Sequence, residues 1–151
     1  MLPSPMDVQT PRIVIDTQVV MDWLVFGDAR VAPLAAAIEA GRVVWLGRPA
    51  MLAELLHVLG RGVAAAWRPD RARIEAAFAT HCRMIDGTPA PAPRLVCRDP
   101  DDQQFIDLAL AERADWLLSR DKAVLALKKR ALTFGLIIAT PEAWLQAQTK
   151  G

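Results

Sequence analysis

The stretch RDPDDQQFIDLALAERADWLLSRDKAVL, residues 98–125, decides the fold class of this chain. After an acid-rich turn, apolar residues recur at helical spacing from Gln103 to Arg113. A short, continuous apolar run then covers 116–119, which is typical of a strand buried on both faces, and a second helical stretch covers 123–129. A helix, a buried strand and another helix in close succession predict an α/β fold with a mostly parallel sheet.

The rest of the chain repeats this alternation. Further buried strands are predicted at 12–16, 43–46, 95–96 and 136–139, and further helices at 31–40, 49–59, 69–84 and after Pro141. Residues 86–94 are rich in proline and are predicted to form an extended connector. We therefore expect a single layered α/β domain over residues 12–148, preceded by a flexible arm at 1–11.

Composition and charge bound what this domain can do. The chain has 151 residues, of which 53% are hydrophobic, and its 18 Lys and Arg against 17 Asp and Glu leave a net charge of +1. This length fits one compact core, and the near-neutral balance excludes a histone-like electrostatic grip on nucleic acid. The five tryptophans are interpreted as core residues, so no base-stacking role is assigned to them.

The cysteines and the N-terminal residues bear on the compartment. Cys82 and Cys97 form no CxxC motif and have no His-x-x-His partner, so neither a disulfide framework nor a zinc site is predicted. The N-terminal residues hold no long apolar segment, and no stretch reaches the ~20 apolar residues of a membrane span. We expect a cytoplasmic protein without a membrane segment.

Two acids follow predicted strands. Asp16 closes the strand at 12–16, and Asp121 stands just beyond the strand at 116–119. In parallel α/β sheets, ligands bind beyond the carboxyl ends of the strands, so both carboxylates are candidates for a site there. The alternative role for each is a helix N-cap, which Asp often fills. Thr17 and Ser119 are neighbouring hydroxyls able to orient a ligand or a water molecule.

Other acids belong to predicted helices or to the turns before them. On a helical wheel, Asp102 lies ~20° from the centre of the apolar face of the helix at 103–113, and Asp101 lies roughly 80° away. This favours Asp102 as a ligand and leaves the choice open. Asp99 is interpreted as a turn or rim residue. Glu54 lies at the border of the apolar face of the helix at 49–59, either as a ligand or as plain helix surface.

Carboxylates gathered at one end of a sheet would repel one another unless a cation joined them. The four candidate ligands are Asp16, Glu54, Asp102 and Asp121. Oxygen ligands without His or Cys select Mg²⁺ or Mn²⁺, and such an ion supports hydrolysis of a phosphodiester. Cationic side chains that are candidate RNA contacts, or otherwise part of a solvated surface, are Arg48, Arg98, Arg120 and Lys122.

Three segments of the chain resemble the PIN-domain family. IVIDTQVV at 13–20 is similar to the family's DTN-like motif and carries Asp16, and MLAELLHVL at 51–59 carries Glu54. Residues 98–125 carry Asp102 and Asp121, and this last motif is the most specific of the three. The resemblance spans roughly residues 12–145, and Gln18 stands where the family usually has Asn.

The chain most resembles the bacterial toxin components of toxin–antitoxin pairs within this family. That resemblance implies a five-stranded α/β/α fold and cleavage of RNA that depends on Mg²⁺ or Mn²⁺. It also implies a homodimer, a small inhibitory antitoxin as partner, and catalytic and metal-binding roles for the four candidate acids.

Other interpretations differ in how well the residues support them. A catalytically silent PIN-like binding or regulatory module stays open because of Gln18. A receiver domain is disfavoured because residues 136–139 offer no Lys, and a phosphatase of the haloacid-dehalogenase type is disfavoured because Gln18 stands where a second Asp is needed. Residues 60–65 match GxGxxA but follow a predicted helix instead of a strand, which argues against a dinucleotide site.

Overall fold

The computed structural model describes residues 10–87 and 95–150, which form five strands and eight α-helices. The strands are β1 (Arg12–Ile15), β2 (Val44–Gly47), β3 (Cys82–Met84), β4 (Trp116–Leu118) and β5 (Ile137–Ala139). The helices are α1 (Thr17–Leu24), α2 (Ala32–Glu39), α3 (Pro49–Gly60), α4 (Arg71–His81), α5 (Gln103–Ala111), α6 (Lys122–Leu125), α7 (Lys128–Ala131) and α8 (Pro141–Lys150). Most of the predicted N-terminal arm and of the connector at 86–94 lies outside the described residues.

All five strands pair in parallel, in the order β3-β2-β1-β4-β5. The central strand β1 places Ile13 opposite Trp45 of β2 on one side and Trp116 of β4 on the other. From β1 the chain adds β2 and then β3 on one side of β1, and it returns to the other side of β1 as β4. The direction in which strands are added therefore reverses between β1 and β4. In open parallel sheets the crevice beyond the carboxyl ends of such strands is the usual ligand site.

Helices cover both faces of the sheet because successive residues of a strand point to opposite sides. Ile13 and Ile15 of β1 belong to a buried cluster that also takes side chains from α1, α2, α4 and α8. Val14 of β1 and Leu117 of β4 belong to a second cluster, formed with α5, α6 and α7. The predicted α/β/α sandwich with a five-stranded parallel sheet is therefore confirmed.

The segment predicted as one helix over 69–84 is a helix followed by an edge strand. The Asp70 carboxylate caps α4, which ends at His81, and Cys82–Met84 form β3. Because β3 pairs with β2 alone at the edge of the sheet, it does not need the continuous β-branched run of a central strand. The helix prediction was wrong for these three residues.

Residues 95–96, predicted as a strand, do not pair with the sheet. The Gln103 side chain satisfies this backbone instead: its Nε2 donates to the Leu95 carbonyl at 3.0 Å, and its Oε1 accepts from the Cys97 N–H at 2.7 Å. Leu95 is buried in the second cluster with residues of α5. Packing against a helix therefore accounts for Leu95, whereas Val96 is 65% exposed.

Two further predictions need correction. The helix predicted at 123–129 is two short helices, α6 and α7. Trp23, Trp45 and Trp144 are buried as predicted, but Trp67 is 59% exposed because it lies in a 3-10 turn (Ala65–Trp67) between α3 and α4.

No helix within residues 10–87 and 95–150 is both long enough and apolar enough to cross a membrane.

Candidate functional site

Ser119 joins the carboxyl ends of β1 and β4. Its hydroxyl donates to Oδ2 of Asp16 at 2.5 Å and accepts the backbone N–H of Asp121 at 2.9 Å. Ser119 is fully buried, so water does not compete for these bonds. The hydroxyl therefore fixes the residue after β1 relative to the loop after β4, and it acts through these two acids instead of facing the cleft.

Asp16 and Asp121 are also helix caps. Oδ1 of Asp16 accepts the N–H of Val19 at 2.9 Å and begins α1, and Oδ1 of Asp121 accepts the N–H of Ala123 at 2.7 Å and begins α6. Asp16 is only 3% exposed, whereas Asp121 is exposed at the mouth of the crevice. The capping role and the position at the rim of the sheet thus coexist in both residues.

A second set of acids lies at the start of α5. Asp99 begins a 3-10 turn (Pro100–Asp102) by accepting the N–H of Asp101 at 3.0 Å, and this turn leads directly into α5. Carboxylate oxygens of Asp99, Asp102 and Asp121 lie within 4.8 Å of one another. Asp101 is exposed and is not part of this group. Asp99, interpreted from sequence as a turn or rim residue, is both the turn residue and a member of the cluster.

One oxygen of this cluster lacks any partner. Oδ2 of Asp102 is buried and accepts no hydrogen bond from the described part of the chain. Burial, followed by the charges of Asp121, Asp99 and Asp16, raises the pKa of Asp102 to about 7. A buried, unpartnered carboxylate oxygen beside two other carboxylates is an arrangement that a hard divalent cation would neutralise.

The pKa of Asp16 is also raised, but here hydrogen-bond donors oppose the effect of burial. Burial raises its pKa, and the hydrogen bonds from Ser119 and from the Val19 N–H work in the opposite direction. The charges of Asp121 and Asp22 add smaller upward contributions. The Asp16 carboxylate is thus held in place by donors of the protein itself, and it adds negative charge close to Asp102 and Asp121.

Asp16, Asp102 and Asp121 line a common cleft of about 360 Å³. Its lining residues are Asp16, Thr17, Gln18, Met21, Asp102, Arg120 and Asp121. The three carboxylates of the cluster and the absence of His or Cys from this lining match the donor set of Mg²⁺ or Mn²⁺. Three of the four predicted acids, Asp16, Asp102 and Asp121, thus meet in one cleft.

Glu54, the fourth predicted acid, does not line this cleft. It lies exposed on α3, where its Oε2 accepts from Nε2 of Gln104 at 2.9 Å. Since Gln104 follows Asp102 by two positions, Glu54 borders the start of α5 without joining the cluster.

A partly buried ion-pair network beside the cleft was not predicted from the sequence. Asp22 of α1 is 5% exposed, and its carboxylate accepts from Nε2 of Gln18 at 2.9 Å and pairs with Arg120. Arg120 also pairs with Glu142 of α8. The signal was present in the sequence, because Asp22 is an acid inside the apolar run 19–24 and would need a buried partner.

The predicted RNA contacts fall into two groups. Arg120 is engaged by two carboxylates, so its charge is already balanced within the protein. Arg48 donates from Nε to the Gly87 carbonyl at 2.8 Å. Arg98 and Lys122 are exposed, next in sequence to Asp99 and Asp121 respectively. Of the predicted cations next in sequence to the acidic cluster, Arg98 and Lys122 are therefore the exposed ones.

The protein is thus a parallel α/β domain with an acidic cleft between β1 and β4, where the strand order reverses. The carboxylates of this cleft are of the kind that bind a metal ion. The family model of the PIN domain matches residues 12–123, and the chain belongs to the PIN-domain family. PIN domains are typically nucleases. Neither the curated proteins nor the solved structures include a match to this chain.

Proposed function

We propose that this protein is an endoribonuclease that depends on Mg²⁺ or Mn²⁺ and hydrolyses phosphodiester bonds of single-stranded RNA in the acidic cleft. The observation that carries this proposal is the cluster of Asp99, Asp102 and Asp121, whose oxygens lie within 4.8 Å and include the buried, unpartnered Oδ2 of Asp102. Membership of a family of nucleases supplies the class of reaction.

The residues in and around the cleft have different roles in this proposal. Asp99, Asp102 and Asp121 would hold the cation. When bound, a divalent cation supplies positive charge that stabilises a phosphoryl centre and lowers the pKa of a water molecule. Asp16 would support the site from its edge, and Ser119 links it to Asp121 through two hydrogen bonds. The Thr17 hydroxyl lines the cleft, where it is able to donate to a phosphate oxygen or to orient water.

The biological role in this proposal is that of a toxin neutralised by a small antitoxin protein. It is supported by the resemblance of the chain to the toxin members of the PIN-domain family, whose motifs are matched at residues 13–20, 51–59 and 98–125. A cytoplasmic location and a homodimer belong to the same proposal. Expression of the chain without its partner is expected to arrest growth, and the Asp121→Asn variant is expected to be harmless.

A second candidate function is a silent PIN-like module that binds without cleaving. Two observations favour it: the Gln18 amide is bonded to Asp22, and Glu54 lies outside the cleft. Such a module would show neither stabilisation by millimolar Mn²⁺ nor metal-dependent cleavage. These two measurements separate the candidates.

The deciding experiment is cleavage of end-labelled single-stranded RNA with Mn²⁺ or Mg²⁺. The parent protein is expected to cleave, and EDTA is expected to stop it. Asp121→Asn is expected to lower the rate about 100-fold or more, because it removes a charge of the cluster while Asn still caps α6. Asp101→Asn is the matched control, since this exposed neighbour lies outside the cluster.

Either of two results would contradict the nuclease proposal. One is the absence of metal-dependent cleavage by the parent protein on any single-stranded RNA. The other is cleavage by Asp121→Asn at the rate of the parent and of Asp101→Asn, which would mean that the activity arises elsewhere or from a contaminant.

A further inference from the structure

Trp67 is an exception among the tryptophans of this protein. Its side chain is 59% exposed, whereas Trp23, Trp45 and Trp144 are at most 9% exposed. It lies in the 3-10 turn between α3 and α4, two residues after the GxGxxA match at 60–65. Neither the hydrophobic core nor the acidic cleft accounts for a large aromatic ring at this position.

The ring of Trp67 is held in one orientation. Phe26, which follows α1, contacts it edge to face with ring centroids 5.1 Å apart and an interplanar angle of 76°. Phe26 is itself half-buried against the first core cluster. An edge-to-face contact of this kind favours this orientation of the ring by about 0.5–1.5 kcal/mol and leaves much of the ring surface uncovered.

The backbone on both sides of Trp67 is strained. Ala64 has a φ of 63° and Arg68 a φ of 48°, a left-handed conformation that residues with a Cβ rarely adopt. These two residues flank the 3-10 turn that carries Trp67. Strain of this kind persists where the surrounding structure enforces it and is frequent at functional sites.

The charge around Trp67 is positive. Between Gly60 and Arg73 the chain has four arginines and a single acid, Asp70, which caps α4. Arg71 pairs with Glu75, and Arg73 donates to the Leu24 carbonyl, whereas Arg61 and Arg68 are exposed. A fixed aromatic ring next to exposed arginines is the combination by which proteins bind single-stranded nucleic acid without reading its sequence.

We propose that Trp67 is a stacking platform for one base of single-stranded RNA, with Arg61 and Arg68 contacting adjacent phosphates. This inference rests on the proposed function, because it names how the substrate of that cleft is held. The eight residues of α1 between the cleft and Phe26 span about 12 Å. A single strand of RNA that occupied both the cleft and Trp67 would therefore have to be several nucleotides long.

Binding measured without cleavage tests the platform. The probe is a fluorescein-labelled single-stranded oligoadenylate, titrated with protein in EDTA and followed by fluorescence anisotropy. Trp67→Ala is expected to weaken binding about tenfold, the loss of one base stack, and Trp67→Phe is expected to retain most of the affinity. Leu132→Ala is the matched control, since Leu132 is equally exposed in another 3-10 turn.

The arginines provide an independent measure. Arg68→Gln is expected to reduce the slope of log affinity against log salt by about one, as the loss of one phosphate contact would. Equal binding by the parent and Trp67→Ala would overturn the proposal. So would a change in oligomeric mass of Trp67→Ala with unchanged RNA affinity, which would make this surface a protein interface.

The outcomes for the platform and for the nuclease are separable. If no metal supports cleavage and Trp67→Ala still weakens binding in EDTA, the platform stands and the nuclease proposal fails. If RNA is cleaved and Trp67→Ala binds as the parent does, only the platform fails.

Discussion

The two walls of the acidic cleft are built differently. On the wall formed by β1 and β4, both oxygens of Asp16 accept hydrogen bonds, and one oxygen of Asp121 caps α6. On the wall at the start of α5, Oδ2 of Asp102 is buried with no hydrogen-bond donor from the described residues, and the pKa of this carboxyl is raised to about 7. The hydrogen bonds of the fold hold the first wall, whereas the described residues form no salt bridge with Asp102 on the second wall.

This difference separates two requirements of a metal-dependent site. The satisfied wall fixes geometry before any cation arrives, which lowers the cost of organising the site. The unsatisfied wall supplies the free oxygen and the unbalanced charge that attract a cation. Substitutions on the first wall should therefore disturb alignment and stability, and substitutions on the second should change the response to metal and to pH.

Ser119→Ala is expected to have the largest effect among tests of this comparison. It removes the bond to Asp16 and the acceptor of the Asp121 N–H, both in a fully buried position. We expect a loss of about 1–3 kcal/mol in the free energy of unfolding and a fall of about 10–100-fold in RNA cleavage. Chemical denaturation and cleavage rates at saturating Mn²⁺ measure the two effects.

Thr140→Ala is the control for this substitution. The Thr140 hydroxyl accepts the N–H of Ala143 beyond β5, so it is also a hydroxyl after a strand of the same sheet. Within the described residues, Thr140 neither belongs to the acidic cluster nor lines the cleft. Its loss should lower stability slightly and leave cleavage unchanged. A Ser119→Ala protein that cleaves at the parent rate would show that the first wall does not depend on this hydroxyl.

The second wall should make metal-free stability depend on pH. Folding raises the pKa of Asp102 from its ordinary 3.8 to about 7, so between these values the unfolded chain releases a proton that the folded protein keeps. The contribution of Asp102 to the free energy of unfolding is therefore greatest at low pH, and it falls as pH rises from about 4 to 7. The raised pKa of Asp16 acts in the same direction.

Thermal unfolding in EDTA across pH 5 to 8 measures this effect. Asp102→Asn is expected to flatten the profile, and Asp101→Asn, outside the cluster, is expected to keep it. Stabilisation by Mn²⁺ should grow as pH approaches 7, because the cation binds the deprotonated carboxylates. A parent profile that Asp102→Asn leaves unchanged would mean that the second wall carries no excess charge.

The sequence predicted those residues of the cleft that directly follow a strand. Asp16 and Asp121 follow strands of a parallel sheet, which determines the edge on which they lie. Asp102 was favoured by a helical wheel, although it belongs to the turn before α5 and not to the helix itself. Whether each carboxylate has all its hydrogen-bond donors was not predictable, because one of the two donors to Asp16, Ser119, stands 103 positions away.

Two residues show different limits of sequence reasoning. Asp22 could have been found, since the argument that a buried acid needs a partner applies to it as it did to Asp102. Trp67 could not, because composition gives a tryptophan among alanines the pattern of a core residue. Its 59% exposure goes with a short 3-10 turn between two residues in the left-handed conformation, Ala64 and Arg68, which the sequence pattern does not indicate.

Glu54→Gln is the mildest test, and it asks whether the second wall extends to α3. Gln keeps an oxygen for the bond from Gln104 and removes the charge, so the contact between α3 and the start of α5 survives. If Glu54 acts only through Gln104, cleavage should fall less than about tenfold and stability should change by no more than about 0.5 kcal/mol.

Glu75→Gln, at another exposed helix glutamate, is the control and should cleave as the parent does. A loss as large as that of Asp121→Asn would instead mean that Glu54 moves into the cleft when the cation binds, so that the second wall is completed by the metal rather than by the fold.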